Sequence, residues 1–99
     1  MNITINSETR DALLEKLKQK NKSVVRLLIA GFGWGGPTLS VVLDEQKDND
    51  ITTTVDGITF VSNKDEEYIF NNCQVSRKKT FFGETFSVKS DVIGEGSCS

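Results

Sequence analysis

The chain has 99 residues, with 12 Lys and Arg against 14 Asp and Glu, two Cys and no His. The length fits one domain with a single modest core, and the missing His excludes Ser-His-Asp or Cys-His nucleophilic catalysis, His-ligated zinc and imidazole pH switching. Two thiols, Cys73 and Cys98, make neither a four-thiolate site within one chain nor a disulfide scaffold, and a net charge of −2 argues against a general nucleic-acid binder.

The first residues, Met1 to Asn6, carry no basic stretch followed by an apolar run, so they do not read as a signal peptide. The longest apolar run, Leu27 to Ala30, is far below the roughly 18 residues of a membrane span. The expected setting is the cytoplasm, with reduced thiols and no membrane partner. Ile3 and Ile5 alternate with polar neighbours and predict a short first strand. Ser7 is the expected N-cap of a helix over 8–20, with Glu8 facing the positive end of the helix dipole. Leu13, Leu14 and Leu17 place apolar side chains on one face of that helix, and Lys20 and Lys22 suit its C-terminal end.

The period then changes. Val24 to Ile29 is rich in β-branched residues and reads as a largely buried strand, and Leu39 to Leu43 as a second. Ile51 to Val55 and Ile58 to Val61 flank Asp56-Gly57, the dipeptide favoured in type I′ hairpin turns. Asp65 to Phe70 reads as one helical turn. Val75, Phe81, Phe82, Phe86 and Val88 belong to further strands or their loops. The end of the chain, Gly94 to Ser99, has no apolar anchor. This divides the molecule into a domain at 1–93 and a flexible, Cys-bearing tail at 94–99. The expected fold class is mostly β (α+β), with one N-terminal amphipathic helix.

Half of the eight glycines fall in Gly31-Phe32-Gly33-Trp34-Gly35-Gly36, followed by the only proline, Pro37. Such density between two strands predicts positive φ or a close backbone approach to a ligand or another chain. Gly31, Gly33 and Gly36 match the dinucleotide fingerprint G-x-G-x-x-G, but the helix that must hold the pyrophosphate is replaced by a strand-like segment. A small nucleotide-binding domain is therefore a weak reading. Gly31, Gly36 and Thr38 match all but one position of a phosphate loop, and Pro37 stands where the essential lysine should be. Proline supplies neither an ammonium nor a backbone N–H, so that reading fails. The bland alternative is a tight connection with Trp34 packed on its own domain or at a subunit interface.

The order strand, helix, strand, glycine loop, strands and Cys-bearing tail resembles the A-type iron–sulfur carrier family (HesB/IscA-like), including its selenoprotein branch. The resemblance covers Ile3 to Leu17, Val25 to Ile29, Leu39 to Glu45, Asp50 to Val61 and Gly83 to Cys98. It implies a compact β-sandwich or barrel of mixed strands that binds iron or an iron–sulfur cluster through thiolates. It also implies a homo-oligomer, such as a dimer, working with an iron–sulfur scaffold and apo-protein clients and catalysing no turnover.

In that family the glycine loop has the form G-C-x-G and the tail carries C-x-C. Here Gly33-Trp34-Gly35-Gly36 puts Trp34 at the first ligand position, and an indole cannot coordinate iron as a thiolate does. The tail, Gly96-Ser97-Cys98-Ser99, offers one thiol where the family has two. The ligand set is therefore incomplete, with Cys98 and the position of Trp34 as its members and Gly31, Gly33, Gly35 and Gly36 forming the loop. UGA encodes selenocysteine and differs by one base from the Trp codon UGG. Trp34 is thus expected to replace a native Cys or selenocysteine, by recoding or by design of the expressed sequence. The alternative from another class is a metal-free interaction module that keeps the HesB-like fold and binds partners through the Trp34 loop.

The remaining candidates are weaker. Cys73, after Asn71-Asn72, is expected to be a small apolar filler at a strand start. Arg77, Lys78 and Lys79 beside Phe81 and Phe82 are expected to form a solvated turn rather than a single-strand nucleic-acid site. Asp65-Glu66-Glu67 reads as an exposed helix start. Asp44, Glu45, Asp48 and Asp50 lack the periodic pattern of a calcium loop.

Overall fold

The computed structural model describes residues 1–33, 36–81, 83–91 and 94–97. In chain order they form β1 (Asn2–Thr4), α1 (Ser7–Lys20), β2 (Val24–Gly33), β3 (Gly36–Asp44), β4 (Asp50–Val55), β5 (Ile58–Asn63), a 3₁₀ turn (Glu67–Phe70), β6 (Asn72–Thr80), β7 (Gly83–Ser90) and β8 (Gly94–Ser97). Two four-stranded sheets result, in the orders β1-β6-β7-β8 and β3-β2-β5-β4. The β1–β6 and β2–β5 pairs are parallel and the others antiparallel, so the sheets are mixed. The expected mostly-β sandwich with one N-terminal helix is what the chain forms.

Burial explains why these segments hold. Val25, Leu27, Leu39, Phe60, Val75 and Val88 fill the space between the sheets, and Leu13 and Leu17 of α1 join the same cluster. Phe60 and Phe70 are fully buried, each worth roughly 1.5–3 kcal/mol of apolar transfer. The 3₁₀ turn contributes Ile69 and Phe70, so it is a core element and more than a surface connection.

The helix starts one residue earlier than its pattern implies. Its N-cap is Asn6, not Ser7: the Asn6 Oδ1 accepts a 2.7 Å hydrogen bond from the Thr9 N–H. A side-chain oxygen there satisfies a donor that the first turn leaves without an intrahelical partner, a contribution of about 1 kcal/mol. Asn21 closes the other end in the left-handed region at φ 54°. The Asp56-Gly57 turn is as predicted, with φ of 52° and 83° at its two central residues, the double positive φ that a type I′ hairpin requires.

Three other expectations change. The glycine segment is mainly strand, because β2 runs on to Gly33 and β3 begins at Gly36, pairing Gly31 with Thr38, Phe32 with Pro37 and Gly33 with Gly36. Arg77, Lys78 and Lys79 lie within β6, opposite Phe86, Thr85 and Glu84 of β7, rather than in a turn. Arg77 also bonds to the helix: its Nη2 lies 2.6 Å from Glu8 Oε1, and its backbone N–H donates to Thr9 Oγ1 at 3.1 Å. Residues 94–97, expected as part of a tail, instead form β8, with Gly94 to Ser97 paired to Ser90 to Ser87 of β7.

Candidate functional site

The glycine hairpin grows out of β2, and its base is built differently from its pattern. Gly31 has neither a positive φ nor any neighbour within 4 Å that an added Cβ would meet. The expected conformational need is therefore absent at that position. What marks the site instead is a register shift between Ile29 and Gly31, which leaves Ala30 without a partner on β3. Such a bulge bends the strand and increases its twist. On its other side β2 pairs with β5 only at Val25 and Arg26, so the backbone of Ile29 needs an acceptor from elsewhere. Glu66 supplies it: Oε1 accepts from the Ile29 N–H at 2.9 Å. Glu66, read as part of an exposed helix start, is thus the side chain that satisfies β2 at the root of the hairpin.

At the opposite end of β2, Arg26 is the one charged residue among apolar neighbours from Val24 to Ile29. Its Nε donates to Asp44 Oδ2 at 2.6 Å and its guanidinium also reaches Asp50. A further bond goes from Nη2 to the Glu45 carbonyl at 3.1 Å. Asp50 also accepts from the Lys47 N–H at 2.7 Å. The carboxylates of Asp44 and Asp50, at the two ends of the β3–β4 connection, therefore serve an arginine instead of a metal ion. Asp44 is held below the usual carboxylate range by the Glu45 backbone N–H and by Arg26, and Asp50 by Arg26 before the Lys47 N–H. The signal that could have revealed this was the unmatched arginine in an apolar strand, followed by acids at both ends of the next connection.

Cys73 behaves as anticipated. It is the second residue of β6, only 6% exposed and part of the core cluster. Burial pushes its thiol up to about 11, so it is protonated at neutral pH and lacks the thiolate that binds metal. Among the described residues no group of three or more His, Cys, Asp or Glu side chains could hold a metal ion. Trp34, Gly35 and Cys98 lie outside the described residues. The strands that lead to them are described, and they meet: β3 is the edge of one sheet, β8 the edge of the other, and the two are in contact.

Solved structures with this arrangement decide the fold. A crystal structure of IscA with the [2Fe-2S] cluster superposes with a TM-score of 0.73, at 16% identity, covering 90% of this chain and 85% of that one. The chain has the IscA fold. SufA of Escherichia coli, described as involved in the biosynthesis of iron–sulfur clusters, shares the IscA fold with a TM-score of 0.68. It is 16% identical over 90% of this chain and 80% of that one. A protein from Aquifex aeolicus, solved by NMR, follows with a TM-score of 0.62, at 15% identity over 89% and 90% of the two chains. No family model and no curated protein matches the sequence, so the likeness is carried by backbone geometry. Among the described residues no helix is long and apolar enough to cross a membrane.

Proposed function

We propose that this protein is a HesB/IscA-like carrier of iron–sulfur biogenesis, taking its cargo from a scaffold and supplying apo-protein clients. The observation that carries this reading is the meeting of β3 and β8. The strand that leaves the glycine hairpin and the strand that ends one residue before Cys98 lie side by side on an IscA-type backbone. Position 34 and Cys98 are the two ligand positions in this reading.

The residues present do not complete that ligand set. The chain has two Cys; Cys73 is buried and protonated, which leaves Cys98 as the single thiol at the ligand positions. Indole nitrogen is a hydrogen-bond donor and has no lone pair to offer iron. Position 34 is accordingly a Cys or selenocysteine in the native gene, and a second copy of the chain completes the thiolate count. Anaerobic reconstitution with ferrous iron and sulfide tests this. The chain as given should show little visible absorption, Trp34→Cys should gain it, and Trp34→Cys with Cys98→Ser should lose it again. A Trp34→Cys chain that stays colourless would remove the main support of the carrier reading. A normal Trp codon at 34 in the native gene would favour the second reading, a metal-free interaction module on the same fold, for which Trp34 itself is the supporting observation.

A further inference from the structure

A groove of about 360 Å³ lies where the C-terminal half of α1 faces β3 and β7. Its floor is apolar, from Val41, Val42 and Leu43 of β3 and Phe86 of β7, and its rim carries Lys16, Lys20 and Lys22. Val42 is 37% exposed, an aliphatic side chain turned outward between the buried Val41 and the partly buried Leu43. Lys16 and Lys20 are four residues apart, so they project from the same helix face and repel each other. None of the three lysines forms an ion pair among the described residues. The rim thus keeps three lysines in no ion pair among the described residues, with Glu84 the one acid lining the groove, beside an apolar floor in a protein of net charge −2.

We infer that this groove docks an acidic segment of a partner protein, an extended or helical peptide that sets aliphatic side chains on Val42 and carboxylates against Lys16, Lys20 and Lys22. Both halves of the surface are needed to define the occupant. A free phosphate or another small anion would satisfy the lysines and leave the floor wet. A nucleic acid would find no exposed aromatic within the groove lining to stack on, since Phe86 is only 7% exposed. A second copy related by two-fold symmetry would bring the same three lysines against themselves, a like-charge contact that disfavours pairing. Glu84, also on the rim, repels carboxylates from its own end and so fixes which way an acidic segment lies. The inference is independent of what stands at position 34.

Fluorescence anisotropy with a labelled synthetic peptide of about 12 residues, alternating Glu with Leu, tests the surface. Three comparison probes are polyglutamate of equal length, a Gln/Leu version of the peptide and the chain itself. The Glu/Leu peptide should bind, and raising NaCl from about 0.05 M to about 0.5 M should weaken binding several-fold. Lys16→Gln with Lys20→Gln should weaken binding roughly tenfold, and Val42→Thr, which keeps the strand shape, should weaken it as well. Lys64→Gln, an exposed lysine outside the groove, should leave binding unchanged. Far-UV circular dichroism confirms that each variant is folded. The inference is overturned if the Glu/Leu peptide fails to bind or binds the lysine variants equally well. It also fails if polyglutamate competes equally, or if Val42→Thr abolishes a concentration-dependent self-association seen by sedimentation, which would give the groove to a second copy.

Discussion

Arg26 grips Asp50 through two parallel hydrogen bonds of 2.7 Å, Nη1 to Oδ1 and Nη2 to Oδ2, across 24 residues of chain. The side chains are 11% and 3% exposed, so the fork is largely shielded from water. Bidentate geometry is specific to the planar guanidinium. Together with Asp44 it fastens the end of β3 and the start of β4 to β2, closing the connection between them.

Removing one member should therefore cost more than a surface ion pair. Arg26→Ala leaves Asp50 buried without its main partner and is expected to lower stability by about 3 kcal/mol. Arg26→Lys keeps the charge and loses the fork, so it should recover only part of that loss. Urea unfolding followed by circular dichroism measures both, and equal midpoints for wild type and Arg26→Ala would contradict the assignment.

The same cluster makes the stability of the fold depend on acid pH. Asp44 and Asp50 both have lowered pKa values, so the folded chain binds fewer protons than the unfolded one in acid. Their contribution is complete above the ordinary aspartate value of about 3.9 and is lost as the pH falls through the lowered values. Urea midpoints taken between about pH 6 and about pH 3 should fall for the wild type. They should fall less for Asp50→Asn, which has already forfeited its share.

How much of this was legible in the sequence differs from element to element, for physical reasons. Asp56-Gly57 carries its turn in two residues, and the Leu13–Leu17 spacing carries the helix, because both are local. The continuation of β2 to Gly33 and the start of β3 at Gly36 were hidden by glycine, which lowers strand propensity although pairing between neighbouring strands overrides it. β8 has the composition Gly-Glu-Gly-Ser and no apolar alternation. It forms because β7 offers a row of unpaired backbone groups, a fact held 4–10 residues away in the chain. Arg26 and Glu66 escaped for the opposite reason. Their partners lie 18 to 37 residues distant, beyond what a pattern of spacing can encode.

Glu66 gives a test confined to one amide. Glu66→Ala removes the acceptor of the Ile29 N–H while touching no core residue. Hydrogen exchange at Ile29 should accelerate by roughly tenfold or more, with Val25 unchanged. Glu66→Gln retains a carbonyl oxygen at the same reach and should restore protection. Unchanged exchange at Ile29 in Glu66→Ala would show that the bond is not maintained in solution.

Cys73 should be silent until the chain opens. Its thiol is pushed up to about 11 by burial, against about 8.5 in an unfolded chain. The folded state therefore holds its proton longer, and the stability this confers is present below about pH 8.5 and lost as the pH rises through about 11. Near pH 8, iodoacetamide should alkylate Cys73 slowly in native protein and readily in urea, as read by mass spectrometry of the peptide containing it. Equal rates in the two states would place Cys73 at the surface.

β3 runs without interruption from Gly36, beside the glycine hairpin tip, to Val42, on the floor of the lysine-rimmed groove. At the rise of an antiparallel strand those two residues are about 20 Å apart. On the proposed carrier and docking readings, the strand is a fixed ruler between the cargo site and the partner groove. A client anchored at Val42 reaches the hairpin only if its own ligands lie about six extended residues from the docked segment. Clients would then be sorted by the length of that spacer, a selection that depends on neither contact alone.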